Sequence, residues 1–345
     1  MIYPAITSHP GLVALIDPAK LMPARRHYNG SICRHGPRLL LAYRYERADG
    51  RSGVAIHALG KTWQPAGKTL LDLAPAEDGT DFEDPRLCEI MGALILTHVS
   101  VRHAPRGDGI FRQHISLVDI EAGTISERPT DTATEHEKNW TVWDADVGKR
   151  WLLKRPAFAW PWGRPSGGTP AMQDKAGRLI AFGHAHVPDV ERCRRYNLFA
   201  MQIDPATAQV THVSRRPLWW GSEDDLAIVS PRSHRWMPLC VFPAGLVIDE
   251  AEYLVSLGVN DSATAILRFG PDELDLVPVA ELPASAPAAV DAAGATTPEG
   301  AVRVRVVGKR PLGEEGGPYR PGDEFFTTPA RAAALGEKRV QILQK

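Results

Sequence analysis

Short apolar runs recur along this chain with polar or turn-forming residues between them. Five such runs follow a motif of polar or turn residues that lies about ten residues earlier. Asn29-Gly30-Ser31-Ile32 precedes Leu39-Leu40-Leu41-Ala42-Tyr43, and Phe82-Glu83-Asp84-Pro85-Arg86 precedes Ala93-Leu94-Ile95-Leu96. Glu137-Lys138-Asn139-Trp140 precedes Trp151-Leu152-Leu153, and Gly167-Gly168-Thr169-Pro170 precedes Leu179-Ile180-Ala181-Phe182. The fifth pair is Phe242-Pro243-Ala244-Gly245 with Tyr253-Leu254-Val255-Ser256-Leu257. Residues 54–58, 113–118 and 263–269 are short, apolar and bounded by turn residues, so they too read as strands. Before residue 280 no segment carries the spacing of an amphipathic helix longer than about two turns. Repeated strand units without helices predict an all-β fold, a five-bladed β-propeller. A propeller gathers equivalent strand ends around one axis, so Asp84 and Asp261 are expected to meet in a central pocket.

The pattern changes near residue 281. Residues 281–300 are rich in Ala and Pro and read as a linker after a propeller domain of residues 1–280. Beyond it, Val302, Val304 and Val306 alternate with arginines as in a half-exposed strand. Pro321-Gly322-Asp323 marks a turn, Thr328 can cap a short helix that ends at Gly336, and residues 340–343 predict a returning strand. Residues 301–345 therefore predict a small α/β appendage, a strand–helix–strand module too small for a core of its own. It is expected to dock on the main body, on a second copy of the chain or on a partner.

Composition narrows the function. At 345 residues, with 23% charged residues and a formal net charge of −1, the chain offers no global attraction for nucleic acid or an anionic membrane. Arg25-Arg26, Arg192 with Arg194-Arg195, and Arg215-Arg216 are local basic clusters that read as solvated faces. No run approaches the roughly 18 apolar residues of a membrane span, and Gly11 to Ile16 is too short for a secretory leader. Cys33, Cys88, Cys193 and Cys240 are widely spaced, which suits free thiols in a cytoplasmic protein. Phosphate-loop, dinucleotide, serine-hydrolase and zincin motifs are absent from the sequence.

The candidate chemistry lies in the repeated motifs. Proline biases Asp84 toward extended backbone, and alternation along an extended chain puts only one of Glu83 and Asp84 on a given pocket. Arg86, two residues on, reads as an ion-pair partner of Asp84 or a clamp on an anionic ligand. Glu137, Lys138, Asn139 and Trp140 combine an acid, a cation, an amide and an indole, the mixture that sugar hydroxyls and C–H faces require. His184 and His186 share one face of a strand. With no acid or cysteine near them in sequence, they predict a pocket-lining imidazole rather than a metal site. Asn260-Asp261 supplies another amide–acid pair where a strand leaves its sheet, a sugar grip or an ordinary turn.

Taken in order from Asn29 to Phe269, these motifs resemble glycoside hydrolase family 130 and its relative, glycosyltransferase family 108. These are five-bladed β-propellers acting on β-mannosides. Glu83-Asp84-Pro85-Arg86, Val241-Phe242-Pro243-Ala244-Gly245 and Asn260-Asp261 carry most of the resemblance. It implies Asp84 as the proton donor, acting in many members through a substrate hydroxyl, and Asp261 as a contact to the sugar at the cleaved bond. It also implies Lys138, Arg155 and His184 as the counterparts of a phosphate-binding set. The third motif departs from the family's usual Phe-Pro-Glu-Lys, and Lys154-Arg155 replaces a His-Arg pair. The reading is a mannoside-active enzyme that inverts configuration, with Asn29, Arg86, Asn139, Trp140, Asn260 and Asp261 binding an oligosaccharide or glycoconjugate. It needs no cofactor and no metal. Inorganic phosphate is the expected co-substrate in the phosphorolytic version, whereas in a hydrolytic version Glu137 is the base that activates water. A mannosyltransferase and a non-catalytic glycan-binding propeller are the alternatives.

Overall fold

The computed structural model describes residues 5–75, 79–103, 109–128, 139–143, 152–153, 156–186, 196–220, 240–282, 302–306, 324–327 and 340–344. The chain begins with a short strand, β1 (Leu12–Leu15), and then builds sheets one after another. The first holds β2 (Arg26–His35), β3 (Arg38–Glu46), β4 (Ser52–Leu59) and β5 (Pro65–Leu73). The second holds β6 (Thr80–Ile90), β7 (Ala93–His103), β8 (Gly109–Asp119) and β9 (Thr124–Arg128). The third pairs β10 (Thr141–Val142) with β11 (Leu152–Leu153). The fourth is built on β12 (Arg164–Gly168), β14 (Leu179–His186), β15 (Tyr196–Asp204) and β16 (Gln209–Ser214). Two short strands flank it, β13 (Met172–Gln173) on β14 and β17 (Trp219–Trp220) on β15. The fifth runs β18 (Val241–Asp249), β19 (Glu252–Val259), β20 (Ala263–Phe269) and is completed by β1 on its outer edge. The chain then returns to the fourth sheet as β21 (Leu276–Pro278). Neighbouring strands in every sheet are antiparallel, and no α-helix occurs among the described residues. None of the described helices is long and apolar enough to cross a membrane.

The apolar runs are continuous rather than alternating because both faces of each sheet are covered. In β3, Leu40 and Ala42 pack with Leu87 and Leu96 of the second sheet. Leu41 and Tyr43 point the other way, to Val247, Leu254 and Ile266 of the fifth. Trp140 and Val142 fill the space between second and third sheets, and Trp143 with Trp160 and Phe199 that between third and fourth. Phe182 and Leu198 meet Val255 and Leu257 between fourth and fifth. Core clusters thus lie between every successive pair of sheets, and the last pair closes the ring. This is the β-propeller architecture that the repeats predict.

The C-terminal segments form a separate three-stranded sheet, with β22 (Val302–Val306) between β23 (Glu324–Thr327) and β24 (Val340–Gln344). The first and last strands match expectation, whereas β23 replaces what reads in sequence as plain connection. The helix expected from Thr328 lies outside the described residues. Cys33, Cys88 and Cys240 are free and buried.

Candidate active site at the inner-strand bulges

Four of the five repeated motifs are β-bulges. Pairing slips between Tyr28 and Ser31 in β2, between Glu83 and Arg86 in β6, between Ser166 and Gly168 in β12, and between Pro243 and Gly245 in β18. A bulge bends its strand and re-aims the side chains beside it. Asn29, Asp84 and Asn139 hold the left-handed region at φ 53°, 51° and 64°, which Asn and Asp tolerate better than most residues. Asn260 and Asp261, in the β19–β20 turn, do the same at 53° and 48°.

These bends gather acids from different sheets. The Asn29 amide donates to Asp261 Oδ1 at 3.1 Å, joining first and fifth sheets. Arg44, on the face of β3 that also carries Ala42, reaches Glu83 Oε1 of the second sheet at 2.8 Å and lies over the Tyr28 ring. Burial, the largest influence, works against the Arg44 charge. It is outweighed by Glu83, Tyr28, Asp84 and Asp261, so the guanidinium is held above its ordinary pKa. Asp261 is pushed up from the usual carboxylate range, first by burial, against the pull of Arg44 and Asn29, with Asp84 and Glu83 adding to the rise. Glu83 thus pairs with the guanidinium directly, and Asp84 and Asp261 lie within its electrostatic reach. Asp261 is thereby biased toward its protonated form, and the excess of acids over cations favours positive charge that develops on a bound group.

Asp84 and Asp261 do come together, as expected. The alternation argument fails at Glu83 and Asp84, because the bulge breaks the period of two and both acids act on Arg44 and Asp261. Arg86 is placed differently from its expected role. It is fully enclosed, donating through Nε to the Gly168 carbonyl, through one terminal nitrogen to the Asp84 carbonyl at 3.2 Å, and through the other to Asn139 Oδ1 at 3.1 Å. Its guanidinium also lies over the Phe242 ring, so it braces four sheets at the axis. Burial, partly opposed by Asp84, lowers it to about 10. Trp140 is enclosed beside Cys88 and Ile95, so its ring faces the core instead of a sugar. Asn260 accepts from the Cys240 N–H at 2.8 Å and fixes the turn that presents Asp261. His184 is buried between Tyr196 and Phe242, and His186 packs on the same Tyr196, so the pair shares a face as predicted. Glu137, Lys138 and Arg155 lie outside the described residues. Arg44 is the member that sequence reasoning missed. The signal was available, since a charge two residues after Ala42 in a strand buried on both faces demands a partner. A cavity of about 670 Å³ beside Arg25, Tyr45, Arg47 and Asp72 shares no residue with this centre.

The fold is an all-β propeller with buried acids gathered from different sheets. No protein-family model and no curated protein matches the sequence, but solved structures match the fold. A mannose phosphorylase from Leishmania mexicana, solved with phosphate ion, has a TM-score of 0.52 at 14% identity, covering 77% of this chain and 92% of its own. A GDP-Man-dependent mannosyltransferase from the same organism has a TM-score of 0.52 at 14% identity, covering 74% and 89%. A structure from the GH130 family of mannoside phosphorylases, which contains hydrolases targeting β-1,2 mannosidic linkages in Candida mannan, has a TM-score of 0.50 at 12% identity, covering 72% and 85%. The resemblance in the motifs is therefore matched by a resemblance in fold.

Proposed function

We propose that the chain cleaves or forms a mannosidic bond with inversion, and works as a glycoside phosphorylase. The observation that carries this reading is that Glu83 and Asp84, on the β6 bulge, and Asp261, in the β19–β20 turn, all act on Arg44. Asp84 is the general acid: it gives its proton to the departing glycosidic oxygen, directly or through a substrate hydroxyl. A phosphate oxygen forms the new bond to the anomeric carbon from the opposite face as the old carbon–oxygen bond breaks. Asp261, held by Asn29, grips the sugar at the cleaved bond. Lys138, Arg155 and His184 are the groups assigned to the phosphate, compensating its lost hydration. The three buried free cysteines suit a cytoplasmic setting.

The test supplies a β-mannobiose with and without inorganic phosphate and follows products by phosphorus and proton NMR. Phosphorolysis with inversion releases α-mannose 1-phosphate only when phosphate is present, and Arg155→Ala raises KM for phosphate roughly ten- to a hundredfold. Free mannose released without phosphate would mean hydrolysis, with Glu137 as base. Transfer from GDP-mannose would mean a mannosyltransferase. Saturable binding without turnover would mean a glycan-binding module.

A further inference from the structure

We propose that the half-exposed indoles Trp162 and Trp220 form a remote subsite for one sugar ring of an oligosaccharide whose end occupies the carboxylate centre. The proposal rests on the mannoside reading above. Trp162 lies in the turn just before β12, and Trp220 on β17. The Trp162 ring is fixed through Nε1, which donates to the Arg215 carbonyl at 3.0 Å. Its own carbonyl accepts from Asn197 Nδ2 at 2.9 Å, and Asn197 is the register partner of Trp220. The ring centroids stand 6.5 Å apart with planes at 70°. This is a rigid corner, not a parallel slot.

The corner geometry selects the ligand. A flat base gains most between parallel faces, whereas a pyranose lays one C–H face on an aromatic ring and turns its hydroxyls to the edges. Arg164, two residues from Trp162, and Arg215, whose carbonyl holds the Trp162 indole, are exposed and carry further donors, the Arg215 Nε pairing with Asp275 at 3.5 Å. A purely structural tryptophan looks different in this sheet. Trp160 is 5% exposed, packed on Phe199, and bonded through Nε1 to the Ser214 carbonyl.

Position fits the same ligand. Trp162 precedes the Gly167 bulge by five residues on the incoming side of β12, the side that also leads to Asn29 and Asp84 in their own strands. An extended chain of that length spans at most about 17 Å. The adjoining Gly168 carbonyl accepts from Arg86, which also reaches the Asp84 carbonyl, so this bulge borders the central acids and the corner, lying further out, selects for chain length and not for the bond cleaved.

The experiment titrates β-mannooligosaccharides of increasing length against the full chain by calorimetry, and measures turnover of the disaccharide. In the wild type, binding tightens roughly three- to tenfold once the oligosaccharide reaches the corner. Trp220→Ala abolishes that gain and leaves disaccharide turnover unchanged, whereas Trp220→Tyr keeps most of it. If disaccharide is turned over but length has no effect in the wild type, or Trp220→Ala retains the gain, the subsite is overturned and the enzyme reading stands. Absence of binding and turnover with every mannoside overturns both.

Discussion

The residues of this centre separate by what each touches. Asp84 is buried at a left-handed bulge position, and Asp84→Asn keeps shape while removing the carboxyl group that the proposed mechanism uses as its acid. The variant should fold normally and lose roughly 10²–10⁴-fold in kcat, measured by mannose 1-phosphate release. Near-wild-type turnover would remove Asp84 as the acid. Arg44→Met tests the electrostatic frame instead. It leaves Glu83 and Asp261 beside Asp84 with no compensating charge, and breaking a buried pair from one side typically costs about 3–5 kcal/mol. Urea unfolding should show a loss of that size, whereas a loss under about 1 kcal/mol would mark Arg44 as dispensable. The sequence made Asn29, Asp84, Asn260 and Asp261 visible because amide and acid residues in turns stand out from apolar strands. Arg44 was passed over because it sits between two tyrosines just past an apolar run, and its charge stands out only once that run is taken as buried on both faces. Trp140 and Arg86 were misplaced for the opposite reason: functional residue types were doing structural work that only packing reveals.

At the scale of elements, the strands were legible because each carries an apolar run bounded by turns, and β20 follows the expected residues 263–269. The bulges were visible only as motifs, since register depends on which strand pairs with which. Short additions such as β13, β17 and β21 have too few residues to carry a period. One strand pair also carries a pH-dependent liability. His98 on β7 stacks on His114 of β8 with centroids 4.8 Å apart, and meets the Phe82 ring edge-on at 4.8 Å. His114 in turn contacts Glu127 and Ser100. Burial, reinforced by His114, lowers His98 from 6.5 to about 3. Between those values the unfolded chain binds a proton that the folded chain refuses. The stability associated with neutral His98 is therefore complete above pH 6.5 and is lost as pH falls toward 3, on the order of 4–5 kcal/mol in all. His98→Leu should flatten that part of the stability curve, measured by urea unfolding at successive pH values. A variant curve parallel to the wild type from pH 6.5 downward would rule the mechanism out.

For the whole molecule the decisive event is closure of the ring through β1, a role for that strand which the sequence did not announce. Residues 11–16 read only as an apolar stretch too short for a leader, because a four-residue strand has no partner visible in its own neighbourhood. In the structure β1 is the outer strand of the fifth sheet, paired with β20 across more than 240 residues of chain. Its flanks are buried as well: Ile6 packs with Phe269 and Trp219, and Ile16 with residues of the first and fifth sheets. Closure also supports the centre. The Ile16 N–H donates to the Thr264 carbonyl at 2.9 Å, while the Thr264 hydroxyl accepts from Gly30 at 2.8 Å, next to the Asn29–Asp261 link. A chain lacking residues 1–16 loses two buried isoleucines, about 3–6 kcal/mol of apolar burial, and bares the edge of β20. The truncated protein should unfold at lower denaturant, scatter light on warming, and lose turnover before it loses its sheet signal, because the Gly30–Thr264 anchor loosens first. Adding a peptide of residues 5–17 should restore turnover and suppress scattering by refilling the edge. If truncation leaves stability and turnover unchanged, the ring is held by its inter-sheet cores alone and β1 is ornamental.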